Sequence, residues 1–364
     1  MKVLLIVTTA QIVRLFRTDL INTLIERGHE VTVVADFSQG SVDGEFVKID
    51  VSLTNRSKSI TKSLKYYKQI KQAVRSVAPD VVMTFMIKPN TLGVLAARSV
   101  APHARIFAMV EGMGVVYTDN SFKYKLIRLI TNFLYRRAFK KIAGLFCLNQ
   151  NDVDFFVKGK FIDERKVHNI RGIGVNLKDY PFEDVTVFNR FVFIARMLKE
   201  KGVEEFCKAA DIVKTKFPNA EFVMYGKEEP ATTECIAEYQ KKGVVQYKGV
   251  TSDVAEVLKE STALVATTYR EGSSRVIMEA MACGRPVIAS DTIGCNHLVE
   301  DGKTGYLVKV KDVEGFAETM KKLLMTEKEK IAIMGKAARE KAERECDADK
   351  INALICDIVE GKDE

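Results

Sequence analysis

At 364 residues the chain exceeds one ordinary core and suits two domains, and a hydrophobic content of 47% can fill both interiors. Four histidines, and seven cysteines without ligand spacing, argue against a zinc site; the odd cysteine count argues for free thiols rather than a disulfide framework. The net charge of +8 is uneven: 28 Lys and Arg stand against 15 Asp and Glu up to residue 180, and 28 against 33 beyond it. A basic half joined to an acidic half suggests that one domain meets an anionic partner, with nucleic acid, a phosphorylated lipid carrier and an anionic membrane as candidates. The opening MKVLLIVTTA has no long apolar core or small-residue cleavage site behind it. No uncharged run reaches the roughly 18 to 20 residues that cross a bilayer, so a cytoplasmic location is expected.

The first half alternates apolar strands with helices. Strands are predicted at 2–7, VTVVAD, 46–51, VVMTF and 104–109, with helices at 16–27, 60–77 and 90–100. Strands that read as apolar on both faces indicate a parallel sheet covered on both sides by helices. The segment after the first strand, TTAQIVRLF, contains no glycine, which removes the ordinary dinucleotide fingerprint there. Residues 121–146 carry Lys123, Lys125, Arg128, Arg136, Arg137, Lys140 and Lys141 and no acid. Leu126, Ile127, Ile130, Phe133, Leu134 and Ala138, with Phe139 just beyond, recur near helical spacing. This predicts one or two amphipathic helices with a wholly basic polar side, suited either to an anionic membrane face or to the sheet with a solvated basic rim. A strand at 145–148, a helix from Asn149 or Asn151, and a glycine-containing passage at 167–182 lead to the second half.

There, the strand FVFIA runs into Arg196, and Lys201 with Gly202 opens a helix at 203–213. Two cations at a strand end offer fixed charge to a diphosphate. The strand at 221–226 ends in Gly226, where a bare backbone permits close approach of a nucleotide. LVAT then enters a polar turn of Glu271, Gly272, Ser273 and Ser274, and a helix starts near Arg275. Helix N–H groups and small hydroxyls at the carboxyl end of a strand suit a phosphate. Glu271 and Glu279 can face one crevice; alternatively Glu271 is a helix-start carboxylate and Glu279 a solvated helical residue. Helices at 313–324, 328–346 and 351–359 close the chain.

Glu271, Glu279 and the run from Ala280 to Val287, together with Arg196 and Lys201-Gly202, resemble the nucleotide-sugar signature of the retaining glycosyltransferases of family 4. The resemblance implies an α/β GT-B fold: two Rossmann-like parallel-sheet domains facing across a cleft, with the last helix crossing back to the first. It implies an acceptor domain at 1–180, a nucleotide-sugar domain at 181–345 and a returning helix at 346–364. In that family the first glutamate contacts the donor sugar and the second the ribose. The implied reaction moves a hexose or N-acetylhexosamine from a UDP-sugar to an acceptor hydroxyl with retention. LTNRS around Arg56, the Lys88-Pro89-Asn90 run and the EGMG loop (Glu111, Gly112, Met113, Gly114) resemble members that extend saccharides on a polyprenyl diphosphate in bacterial surface polysaccharide synthesis. Arg56, Lys88 or Arg17 would grip the diphosphate, although Lys88 also reads as a surface lysine, and Glu111 is the acid whose order puts it on the acceptor side. With no Asp-x-Asp pair in a suitable turn, Arg196, Lys201 and the helix start near Ser273 and Ser274 would balance the leaving charge without a metal. Two departures stand out: Asn176 where an acid is common, and His297 where a glutamate is common. A family 4 enzyme with a soluble or glycerolipid acceptor is the alternative. A nucleic-acid-binding protein fits the charge but leaves Arg196, Lys201, Glu271 and Glu279 unexplained and lacks interleaved stacking aromatics, so no nucleic-acid partner is expected.

Overall fold

Alternate residues of the first strand, β1 (Lys2–Thr9), enter two different cores. Leu4 and Ile6 join one cluster of buried side chains, and Val3, Leu5 and Val7 join the other. Each such side chain, fully removed from water, contributes about 1.5–3 kcal/mol, so a strand buried on both faces is held twice over. The computed structural model describes residues 1–38, 40–52, 60–118 and 121–362, and the chain divides into two units, Met1–Ile173 with Asp349–Glu364, and Gly174–Ala348. Arg56 and the LTNRS run lie outside the described residues.

The first unit continues with β2 (Glu30–Asp36), β3 (Val47–Asp50), β4 (Val81–Phe85), β5 (Arg105–Val110), β6 (Gly144–Cys147) and β7 (Val167–Asn169). These strands are all parallel, in the order β3-β2-β1-β4-β5-β6-β7. Its helices are α1 (Ala10–Phe16), α2 (Thr18–Glu26), α3 (Ile60–Val77), α4 (Val94–Val100), α5 (Val115–Thr118), α6 (Phe122–Phe139) and α7 (Gln150–Lys158). The segment expected as a loop after β1 is therefore helical. Thr9, extended itself, accepts the Ile12 N–H on its hydroxyl at 3.4 Å and caps α1, so no glycine turn is needed. The helix expected from Asn90 begins instead with a π-helical turn, Pro89–Gly93. Its Asn90 is fully buried, donating to the Met109 carbonyl and accepting from the Thr84 hydroxyl, both at 2.7 Å.

The second unit has β8 (Arg190–Ile194), β9 (Glu221–Tyr225), β10 (Gln246–Tyr247), β11 (Ala263–Ala266), β12 (Val287–Ser290) and β13 (Gly305–Val308), in the parallel order β10-β9-β8-β11-β12-β13. Its helices are α8 (Val203–Lys216), α9 (Thr233–Lys241), α10 (Val254–Lys259), α11 (Arg275–Ala282), α12 (Val313–Leu324) and α13 (Lys328–Glu345). The last helix, α14 (Ala348–Glu360), packs Ile355, Cys356 and Val359 into the first unit's core. Arg27 secures it through Asp357 at 2.5 Å and Glu360 at 3.2 Å, and His29 through Glu360 at 2.8 Å.

Strand order reverses between β1 and β4 in the first unit and between β8 and β11 in the second. Neighbouring loops diverge at such a point, leaving room for a ligand at the carboxyl ends of the strands.

Candidate functional site

In the second unit the loops after β8 and β11 meet at this reversal. After β8, Arg196 projects into solvent and makes no ion pair among the described residues. A single 3₁₀ turn, Lys199–Lys201, then brings Lys201 against Glu271, and the two form an ion pair with 21% of each side chain exposed. The loops are also joined through the backbone: the Tyr269 N–H donates to Glu200 at 2.9 Å, and the Thr267 hydroxyl to the Gly202 carbonyl at 2.7 Å.

A third loop, after β12, closes on the same turn. The Glu271 N–H donates to Ile293 at 3.0 Å and the Ser274 N–H to Gly294 at 2.8 Å. Gly294 has φ +85°, and a side chain there would lie 2.6 Å from the Glu271 carbonyl, so only glycine permits this seating. His297 comes with it, its Nε2 3.3 Å from the Ser273 hydroxyl. The departure from glutamate thus lies against the turn that carries Glu271. Within the turn, the Glu271 and Ser274 N–H groups are thus taken by neighbouring carbonyls. Ser274 is buried, flanking α11 without a capping bond from its hydroxyl. Gly226, with φ +145°, also meets a packing need. A Cβ there would overlap the Ala195 carbonyl, so the glycine lets β8 and β9 end side by side.

Glu279 is buried, which overturns its reading as a solvated helical residue. Its Oε1 accepts from the Tyr180 hydroxyl and from Arg275 Nε, each at 2.8 Å. Burial first, and the adjoining carboxylate second, push the Tyr180 hydroxyl far above its ordinary range, so it stays a donor. Neither partner was singled out from the sequence. Arg275 stands one helical turn before Glu279, a spacing that could have identified it; Tyr180 lies in a connecting segment with no periodicity to mark it.

The first unit arranges its charges differently. Arg17 pairs with Glu111, stacks its guanidinium 4.3 Å over Phe85 and is 1% exposed, with Glu111 19% exposed. A guanidinium so enclosed is a strut under the EGMG loop, which corrects the expectation that it grips a carrier. Lys88 is half-buried, and burial, followed by the nearby Lys62 charge, holds its ammonium below the usual lysine range.

α6 divides the apolar residues expected along it between the core and the surface. Thr131, Tyr135, Ala138 and Phe139 are the residues it buries, because Tyr135 and Phe139 pack on Phe156 of α7. Leu126, Ile130 and Phe133 point outward instead, joining Phe122 (84% exposed) and Leu129 (67% exposed) in one stripe. Lys123, Lys125, Arg136, Arg137, Lys140 and Lys141 are also exposed around it.

Among the described residues no helix is long and apolar enough to cross a membrane, and no group of three or more His, Cys, Asp and Glu side chains is placed to hold a metal ion. Residues 17–172 match the family model for Glycosyltransferase Family 4, and residues 185–341 the model for Glycosyl transferases group 1. The chain belongs to the family 4 glycosyltransferases. Its two Rossmann-like units are those of the GT-B fold, and the enzyme is a transferase. This glycosyltransferase is 29% identical to the N,N'-diacetylbacillosaminyl-diphospho-undecaprenol alpha-1,3-N-acetylgalactosaminyltransferase of Campylobacter jejuni, over 89% of this chain and 90% of that one. It is 27% identical to the UDP-Gal:alpha-D-GlcNAc-diphosphoundecaprenol alpha-1,3-galactosyltransferase of Escherichia coli, over 90% and 87%. Among solved structures, sucrose-phosphate synthase from Thermosynechococcus elongatus superposes with a TM-score of 0.82 at 16% identity, over 99% of this chain and 98% of the other.

Proposed function

We propose that this glycosyltransferase moves a hexose or N-acetylhexosamine from a UDP-sugar to a saccharide carried on a polyprenyl diphosphate, building a bacterial surface glycan at an anionic membrane face. The two bacterial relatives act, by their names, on diphospho-undecaprenol saccharides, and one takes UDP-Gal. The observation that carries the reading is the partly exposed Lys201–Glu271 pair at the sheet reversal, together with a Glu279 whose Oε1 is already fixed by Tyr180 and Arg275. In this reading Lys201 and Arg196 face the diphosphate, where charge grows as the glycosidic bond to phosphate breaks. Glu271 takes the donor sugar, and Glu279 turns its remaining oxygen to the ribose. The turn of Gly272, Ser273 and Ser274, with Gly226, borders the nucleotide. Side chains do the charge compensation, so transfer proceeds without a metal. On the acceptor side, Lys88 remains as the grip on the carrier diphosphate, and Glu111 holds its loop through Arg17 rather than serving as a free base.

Membrane docking rests on α6. Its outward stripe of Phe122, Leu126, Leu129, Ile130 and Phe133 would enter the interface while the surrounding cations meet anionic headgroups, each worth about 1 kcal/mol. The test is a donor screen in chelator against synthetic polyprenyl-diphosphate saccharides, read by mass spectrometry, with vesicle flotation alongside. Transfer from a UDP-sugar, lost in Lys201→Ala, is expected; so is loss of flotation when Arg136, Arg137, Lys140 and Lys141 are reversed to glutamate. Transfer only to a soluble or glycerolipid acceptor would overturn the carrier assignment, a strict need for a divalent ion the metal-free chemistry, and unchanged flotation the docking.

A further inference from the structure

α13 runs close against the end of α11, and Gly335 makes this possible: a Cβ there would overlap the Gly284 carbonyl. One helical turn on, Arg339 stands beside Ala282, the last residue of α11, whose carbonyl has no later turn of its own helix to bind. Arg339 Nη1 donates to that carbonyl at 2.7 Å and to the Tyr180 carbonyl at 2.9 Å, while its Nε donates to Glu343 at 2.6 Å. The side chain is 17% exposed, and its charge suits the negative end of the α11 dipole. Tyr180 is thus attached to α11 at two points. Its hydroxyl donates to Glu279 within the helix at 2.8 Å, and its backbone is joined to the end of the same helix through Arg339. Past Tyr180 the segment is held by other means, with the Phe182 ring against Gly284 and the buried Arg285 donating to the Asp184 carbonyl at 3.3 Å.

We propose that Arg339 is a positioning residue for nucleotide binding: by fixing the Tyr180 backbone it holds the tyrosine hydroxyl on Glu279 Oε1, and so keeps the other carboxylate oxygen aimed at the ribose. A tyrosine ring is rigid and has two side-chain torsions, so where its backbone sits decides where its hydroxyl can reach. Arg275 donates to the same Oε1 at 2.8 Å from one turn earlier in α11. A single donor lets the carboxylate pivot about that bond; two donors from different directions fix its plane. Without Arg339 the Tyr180 carbonyl loses its tie to Ala282, the hydroxyl drifts, and Glu279 is left with Arg275 alone.

The effect on the ribose rests on the donor reading above, whereas the coupling of Arg339 to Tyr180 does not. Calorimetry of the full chain with UDP and with dideoxy-UDP, which lacks both ribose hydroxyls, separates positioning from a purely structural role. Arg339→Met is expected to weaken UDP binding about threefold, less than one whole hydrogen bond is worth, and to leave dideoxy-UDP unaffected. In a Tyr180→Phe background the same substitution should cause no further loss, because the route is already cut. Arg339→Lys can still donate to one of the two carbonyls and should recover part of the affinity; it reads the same effect if the methionine variant does not fold. In carbon NMR of ring-labelled tyrosine, the Tyr180 signal, assigned by its loss in Tyr180→Phe, should move in both Arg339 variants. An unmoved Tyr180 signal, or an Arg339→Met loss undiminished in the Tyr180→Phe background, would overturn the proposal. So would equal losses for the two ligands where the parent protein distinguishes them. A parent protein that binds UDP and dideoxy-UDP equally would instead sink the assignment of Glu279 to the ribose, with the tyrosine signal still deciding the coupling.

Discussion

Each unit carries an ion pair at the carboxyl end of its sheet, formed by a residue that follows the central strand and a glutamate from a later loop. In the first unit Arg17 is sealed between Glu111 and Phe85; in the second Lys201 and Glu271 are each 21% exposed. Similar charges therefore serve different ends. The difference lies in the cations: one that water cannot reach fixes the backbone around it, whereas one that water can reach is able to exchange its partner for a ligand. The contrast breaks down if both pairs behave alike on mutation. Arg17→Leu leaves Glu111 without its cation in a mostly enclosed position and is expected to cost about 3 kcal/mol, read as lowered thermal and urea stability. Lys201→Met is expected to change stability by less than about 1 kcal/mol while weakening UDP binding by about 1.5–3 kcal/mol. Equal stability losses in the two variants would remove the distinction.

Much of the fold is legible in the amino-acid sequence because strands buried on both faces read as apolar runs, and β1, β4 and β8 do so unambiguously. The charged residues at the reversal in the second unit are legible for a related reason: Arg196, Lys201 and Glu271 follow the ends of apolar strands, and Glu279 interrupts an apolar helix. What spacing cannot supply is the identity of each partner. Tyr180 reaches Glu279 from 99 positions away, and Glu111 reaches Arg17 from 94. Arg17, a cation beside a helix, reads as solvated until that distant glutamate is in place. α6 is ambiguous for another reason. Its large apolar residues occur nearly all round the helix, so the choice of buried face falls to Phe156 and its aromatic neighbours, which a helical period alone does not contain.

The comparison sharpens at Tyr180, which tests whether the second unit's charges are prearranged or merely adjacent. Tyr180→Phe removes one donor to Glu279 and leaves Arg275 in place. The loss is expected to be about 1 kcal/mol, or roughly fivefold in UDP affinity, seen by calorimetry. It should vanish when the ligand lacks ribose hydroxyls. A fivefold loss that persists with such a ligand would mean that Glu279 does not serve the ribose.

The smallest expected effect concerns Lys88, where binding and stability should move in opposite directions with pH. Burial, and then the Lys62 charge, lower the Lys88 pKa in the folded protein below the value of roughly 10.4 expected when the chain is unfolded. Between the two values the unfolded chain holds more protons, so this residue's contribution makes stability rise as pH rises through the folded pKa. The protonated form is the one that attracts a carrier diphosphate, so acceptor binding should weaken across the same interval. The KM for a polyprenyl-diphosphate acceptor is expected to climb about threefold on the alkaline side, with UDP affinity flat, since one partly exposed charge contributes modestly. Lys88→Arg keeps its charge throughout and should flatten the acceptor profile. An alkaline rise in KM that survives in Lys88→Arg would assign the titration to another group, and would leave the first unit without a demonstrated counterpart to the accessible cation of the second.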